Sequence, residues 1–177
     1  PTGKDTDLLQ NVEFAYVEVG ERVQVDNSSQ TEIKYKVTND EFLNAIGITK
    51  NTDSNYTQTE LNNAIKNKKT DTIAFVKDKA IDANKKSTAA TSGDVKFDNL
   101  SLHKLYVFAE TDATKAALAS DENKKVNVTK VSVPFLVSLP FTGKDGKTVT
   151  DLKVYPKNST GTATIEKKIV EDSAEKD

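Results

Sequence analysis

The chain of 177 residues contains no cysteine, which excludes disulfides, thiolate metal sites and cysteine nucleophiles together. His103 is its only histidine, and no Asp or Glu stands close to it in sequence, so neither an imidazole metal site nor acid–base chemistry finds its usual partners there. Methionine is absent throughout, position 1 included, and the chain opens on Pro1 without an apolar run. That opening is the expectation for an internal or processed fragment of a longer protein. No stretch reads as a signal peptide or is long and apolar enough for a membrane-spanning helix. An excess of charge is missing too: 25 Lys and Arg face 27 Asp and Glu, a formal net charge of -2. Such a balance gives no electrostatic field for nucleic acid or anionic lipid, where a basic face would be needed.

What is present is polar and well solvated, with 29% charged and 36% hydrophobic residues and a mean hydropathy of -0.58, near the polar end of the globular range. The length suffices for one ordinary domain with a sizeable core. No internal repeat is visible. Val12 to Val25 carries two β-rich runs parted by Gly20, which fits a hairpin or a bent strand, and Asp26-Asn27-Ser28-Ser29 signals a turn. Ile33, Tyr35 and Val37 alternate with Glu32, Lys34 and Lys36, predicting a strand with one buried face. Helical signals follow. Thr38 and Glu41 have capping-box spacing, Phe42, Leu43 and Ile46 share a face, and Gly47 sits where a left-handed residue would end the helix. Thr57 and Glu60 repeat the capping pattern before Leu61, Ala64 and Ile65, and Lys66 to Lys69 reads as a solvated helix end.

Residues 72–82 fit a helix or a strand equally. Asn84 to Gly93 looks like an exposed loop. From Asp94 the chain reads as strands, with a helical turn at Ala113 to Ala119. Between Val126 and Leu139 the inward set changes parity, from Val126 and Val128 to Val131, Val133, Phe135, Val137 and Leu139, which predicts a bulge at Thr129 and Lys130. Gly143 to Gly146 is a turn into a last strand. The expected architecture is mainly β: a β-sandwich over residues 1–160 with a helical insertion at about 38–85. Residues 161–177 would form a linker or the start of a next domain, with one linking strand from Ala163 to Val170.

The strand entered from Gly143 to Gly146 is the focus of the functional reading. Leu152 and Val154 alternate with Asp151, Lys153 and Tyr155, and Pro156 is expected to stop the ladder by removing a backbone donor. Lys157 would then leave the sheet at its end. This segment resembles the pilin motif of Gram-positive pilus backbone subunits, Trp-x-x-x-Val-x-Val-Tyr-Pro-Lys. Val154, Tyr155, Pro156, Lys157 and the trailing Asn158 match, Leu152 replaces the first Val, and Thr148 departs from the Trp. Phe97-Asp98-Asn99-Leu100 followed by Tyr106 to Asp112 resembles the matching region of Cna-B-type and pilin domains, and Pro134 to Pro140 resembles the run before the pilin motif.

The resemblance implies an immunoglobulin-like, Cna-B-like sandwich from the N-terminal domain of a sortase-assembled backbone pilin. Lys157 would be the acceptor amine of an intermolecular isopeptide bond, in a cell-wall-anchored extracellular pilus. The implied partners are neighbouring copies of the same pilin, joined covalently head to tail, and a pilin-specific sortase. No cofactor, metal, nucleic acid or membrane contact is implied. Glu110 takes the place of the buried carboxylate that promotes an internal Lys–Asn amide in this family. The first strand offers no lysine for such a bond, so a strand-end glutamate without one is the expectation.

Leu139-Pro140-Phe141-Thr142-Gly143 spells the LPxTG pentapeptide that sortases cleave. It lacks the apolar span and basic tail of a sorting signal, and a pentapeptide held in a sheet cannot enter an enzyme groove without local unfolding. Asn27, Asn55, Asn99, Asn127 and Asn158 open glycosylation sequons, which matter only in a eukaryotic secretory pathway. The competing function is a ligand-binding adhesin domain of a cell-wall-anchored surface protein. A hydrolase finds no nucleophile–base pair here.

Overall fold

The computed structural model describes residues 8–26, 31–98, 100–139, 141–142, 148–149, 152–159 and 162–169. In chain order its elements are β1 (Leu9–Gln10), β2 (Glu13–Asp26), β3 (Thr31–Val37), α1 (Asp40–Ala45), β4 (Asn55–Tyr56), α2 (Gln58–Asn67), α3 (Lys69–Lys79), β5 (Lys85–Ser87), β6 (Val95–Phe97) and β7 (Lys104–Asp112). There follow β8 (Ala117–Leu118), β9 (Asp121–Lys125), β10 (Phe135–Ser138), β11 (Phe141–Thr142), β12 (Thr148–Val149), β13 (Leu152–Ser159) and β14 (Thr162–Ile169). The fold is mainly β, an immunoglobulin-like sandwich with a helical insertion. Between Asp94 and Ser159 the described residues contain strands and no helix.

The pleat of β7 explains the layering. Leu105, Val107 and Ala109 belong to one buried cluster, and Tyr106 and Phe108, on the other face, to a second. A strand buried on both faces has no polar side to show, so β7 reads as a continuous apolar run. It lies inside the large sheet, whose order is β10-β7-β2-β3-β4 with β5 also on β2. One face of that sheet is covered by the helices through Phe42, Leu43, Ile46, Leu61, Ile65, Phe75 and Val76. The other faces a sheet of order β14-β13-β6, whose Val95, Phe97, Leu152 and Val154 meet Phe14, Tyr106 and Phe108.

Tyr16 stacks on Phe108 at 5.0 Å and meets Phe97 edge-on at 5.5 Å, and Phe97 meets Phe108 at 5.1 Å. The two Phe97 contacts join the two sheets, and each aromatic pair adds about 0.5–1.5 kcal/mol beyond its buried area. A small third sheet has the order β1-β8-β9.

Val12 to Val25 resolves as a bent strand. β2 runs unbroken past Gly20, with a register irregularity between Glu18 and Gly20. A Cβ at Gly20 would stand 2.1 Å from the Lys36 carbonyl oxygen, so only glycine lets β3 approach. Ile33 departs from its expected inward face and is 45% exposed; its Cα partner is Gln24, close to the connection between β2 and β3 and away from the Gly20↔Val37 end of the pair. Of the turn expected at Asp26 to Ser29, residues 27–29 lie outside the described residues.

The first helix is capped one residue later than its spacing suggested. The Thr38 and Asn39 amides both donate to the Val19 carbonyl, so the chain is still tied to the sheet there, and the Asn39 side chain accepts from the Phe42 amide at 2.9 Å. At the other end Gly47, at φ +76, closes a Schellman turn: its amide donates to Asn44 and that of Ile48 to Leu43. The Thr57–Glu60 capping box is complete, at 3.1 and 2.8 Å.

The ambiguous stretch after it becomes α3, whose Phe75 packs on Phe42 at 5.6 Å. The lysine run is a joint rather than a free end: Lys68 caps both α2 and α3.

Three segments differ from their sequence reading for one reason, the need of sheet edges for partners. The expected loop at Asn84 to Gly93 contains β5, which pairs with Glu13 to Ala15 on the flank of β2 that β3 leaves open. Thr88, 3% exposed, accepts from the Val12 amide. The expected helical turn at Ala113 to Ala119 is instead β8, paired with β1. The parity change after Val126 is not a bulge. β9 belongs to the small sheet and β10 to the large one, so the chain crosses between sheets through residues 126–134, leaving Val133 40% exposed.

Candidate functional site

β13 owes its position to its buried residues. Leu152 and Val154 have no exposed surface and sit in the inter-sheet core, each worth roughly 1.5–3 kcal/mol of burial. Pro156 is buried in the same parity. Between them Lys153 is partly exposed, its ammonium 3.6 Å from the Asp94 carboxylate.

The strand has two partners at its start and one afterwards. β6 pairs with Leu152, Lys153 and Val154, through Phe97, Lys96 and Val95. β14 pairs with the whole strand, from Leu152↔Ile169 to Ser159↔Thr162.

Pro156 therefore does not stop the ladder, and Lys157 does not leave the sheet: Lys157 lies opposite Thr164 and Asn158 opposite Ala163. A proline is accepted in a strand where its missing donor faces an unpaired edge, and on the β6 side β13 offers such an edge from Tyr155 onward among the described residues. The expected linking strand is β14, laid back antiparallel on β13. The side chains of Tyr155, Lys157 and Asn158, and all of Asp151, lie outside what the structure describes. Thr148, at the place of the motif's tryptophan, is in β12 opposite Thr142.

Glu110 is 1% exposed, and neither carboxylate oxygen has a hydrogen-bond partner. Burial pushes its pKa from 4.5 up to about 7, opposed by the charge of Lys69 and by the Ser132 backbone amide. Its Cα partner on β2 is Phe14. Lys69 is the neighbour that sequence reading missed, because the charge comes from the helical layer rather than from a strand.

The LPxTG-like run is built into the fold. Leu139 is fully buried, and Phe141 and Thr142 pair with Val149 and Thr148; Pro140 and Gly143 lie outside the described residues, as does the expected turn at 143–146. His103 touches Arg22 at 3.2 Å. Among the described residues no group of three His, Cys, Asp or Glu side chains could hold a metal ion.

A family model described as the N-terminal domain D1 of Gram-positive pilin subunits matches residues 1–159, a span that ends on the last residue of β13. The chain belongs to that family. No curated protein and no solved structure matches it. This pilin domain is thus part of a Gram-positive surface pilus subunit, and none of its described helices is long and apolar enough to cross a membrane. The pilin family is one of structural subunits.

Proposed function

We propose that this pilin domain is the acceptor unit of a covalently polymerised pilus shaft, and that the amine of Lys157 is joined by a sortase to the next copy of the subunit. The observation that carries the reading is the asymmetry of β13. Its first half is fixed by Leu152 and Val154 between β6 and β14, and its pairing with β6 ends at Val154, ahead of Lys157. An enzyme that selects one amine among many must read a frame around it, and Val154-Tyr155-Pro156 supplies an anchored one.

The donor subunit's threonine is held as an acyl-enzyme. The neutral lysine amine attacks its carbonyl carbon, the amide C–N bond forms as the acyl–enzyme bond breaks, and the amine loses a proton. At an ordinary lysine pKa only roughly one amine in 2,500 is neutral at pH 7, so the enzyme's groove supplies the deprotonation.

Lys157→Arg tests this, because a guanidinium keeps the charge but stays protonated and is a poor nucleophile. Incubated with the cognate pilin sortase and an LPxTG donor, the variant should give no conjugate, whereas Lys153→Arg should react like wild type. Conjugation persisting in Lys157→Arg, or mapped by peptide mass chiefly to another lysine, removes the assignment.

A further inference from the structure

Residues 126–134 cross from the small sheet to the large one with no helix or strand, only an isolated bridge at Lys130. The Val126 amide donates to the Ala116 carbonyl at 3.0 Å, Val126 and Val128 pack partly buried on the inter-sheet core, and Pro134 is buried at the far end. Asn127, Thr129, Lys130 and Val133 are exposed. The segment is thus a strap one chain thick, with core on one side and solvent on the other.

Glu110 lies beside the end of that strap. β10 pairs with β7 only between Leu105 and Phe108, so the residues just before Phe135 run along β7 where that pairing stops, and the Ser132 backbone amide is close enough to favour the charged form of Glu110. On β7 Glu110 has the parity of Tyr106 and Phe108, and its Cα partner Phe14 belongs to the same inter-sheet core. It is the only acidic or basic side chain buried among the described residues, and neither of its oxygens has a hydrogen-bond partner. A carboxylate so placed needs water or a cation when it ionises.

The charged groups on the surrounding elements do not meet that need. Lys69 acts from α3 and offsets the burial only in part. Glu13 on β2 accepts from Thr111 at 2.6 Å, and Asp112 accepts from Thr114. Lys86 on β5 donates to the Lys96 carbonyl at 3.1 Å, and Lys130, on the strap itself, is exposed. Water is left, and its entry has one easy route. β2 and β7 are fixed to each other by a long ladder, whereas the strap has no ladder to break.

We propose that residues 126–134 are a proton-controlled strap, closed on the inter-sheet core while Glu110 carries its proton and released locally when that carboxyl ionises, so that water reaches it. The device is independent of Lys157 and of the polymerisation reading.

The test is hydrogen exchange of the whole chain, read by mass spectrometry on peptides covering 126–134 and the centres of β2 and β7. Wild type and Glu110→Gln are compared at the same pH, so that intrinsic exchange rates cancel, and Glu110→Met serves as a second non-ionising variant. At pH 4.5 the three straps should exchange alike to within a few-fold. At pH 8 the wild-type strap should exchange on the order of a hundredfold faster than either variant, because opening returns a carboxyl raised to about 7 to its ordinary range and each pKa unit is tenfold.

That acceleration should be unchanged in roughly 1 M urea, since a local opening exposes little surface, whereas exchange through global unfolding speeds up with denaturant. A wild-type strap that exchanges like both variants at pH 8, or whose acceleration grows with urea in step with that of β2 and β7, overturns the proposal.

Discussion

The buried carboxylate of Glu110 makes a pH dependence that can be worked through. Its pKa is raised from 4.5 to about 7, chiefly by burial. The folded protein therefore holds a proton on this group more tightly than the unfolded chain. Stability from that preference is fully present below pH 4.5, where both states are protonated, and is lost as pH rises through 7, because the folded state must then carry a buried charge that Lys69 and the Ser132 amide offset only in part. With 1.36 kcal/mol per pKa unit, the loss across the window is about 3 kcal/mol, a large share of a typical domain's stability of about 5–15 kcal/mol.

Urea unfolding followed by far-UV circular dichroism between pH 4 and 8.5, at constant ionic strength, measures it. At a urea slope of about 2 kcal/mol/M, the wild-type midpoint should fall by roughly 1–2 M relative to that of Glu110→Gln, which cannot ionise. The difference isolates Glu110 from the other carboxylates, including Asp112, whose pKa is lowered by its hydrogen bonds to Thr114 and which acts at lower pH. Parallel curves for the two proteins between pH 4.5 and 7 would refute the reasoning, and so would a wild-type curve that rises relative to the variant.

Gly20→Ala should destabilise the domain by about 1–3 kcal/mol or more, since the new methyl meets backbone, the Lys36 carbonyl at 2.1 Å; an unchanged thermal midpoint would contradict that approach. Thr57→Ala removes the side-chain acceptor of a complete capping box and should cost about 1 kcal/mol, read as a shifted urea midpoint with an unchanged slope. Intact mass should equal the sequence mass, because β2 contains no lysine and places Phe14 opposite Glu110; a deficit of one ammonia would reveal an internal amide.

Elements whose residues face one partner were legible in the sequence. The Thr57–Glu60 cap, the Gly47 stop and the alternation of Leu152 and Val154 each depend on neighbours a few residues away, and each appears in the fold. Segments serving a distant edge were not. Nothing in the polar stretch Lys85-Lys86-Ser87 announces a strand, because its partner is the backbone of β2 and backbone pairing has no side-chain signature. The same limit hid the crossing between β9 and β10, where a change of sheet gives the parity shift that a bulge would give. In the candidate site, burial of Leu152 and Val154 was readable, whereas the charge of Lys69 near Glu110 and the Asp94–Lys153 pair come from residues far off in sequence.

The continuation of β13 through Pro156 changes what that proline contributes. Had it ended the strand, Lys157 would stand on a loop, placed only as well as the loop is ordered. In the observed fold the backbone at Lys157 is held by β14, and the register is set by Leu152 and Val154 in the core. The β6 side is unpaired from Tyr155 onward among the described residues, and an unpaired strand edge invites pairing with another chain. A proline next to Lys157 removes one of the donors such an intruding strand would need and fixes φ there. Buried in the same parity as Leu152 and Val154, it also continues the apolar stripe that anchors the strand. A single residue thus extends the anchor and makes the edge a poorer template for a second strand, both of which would serve the sortase transfer proposed for Lys157.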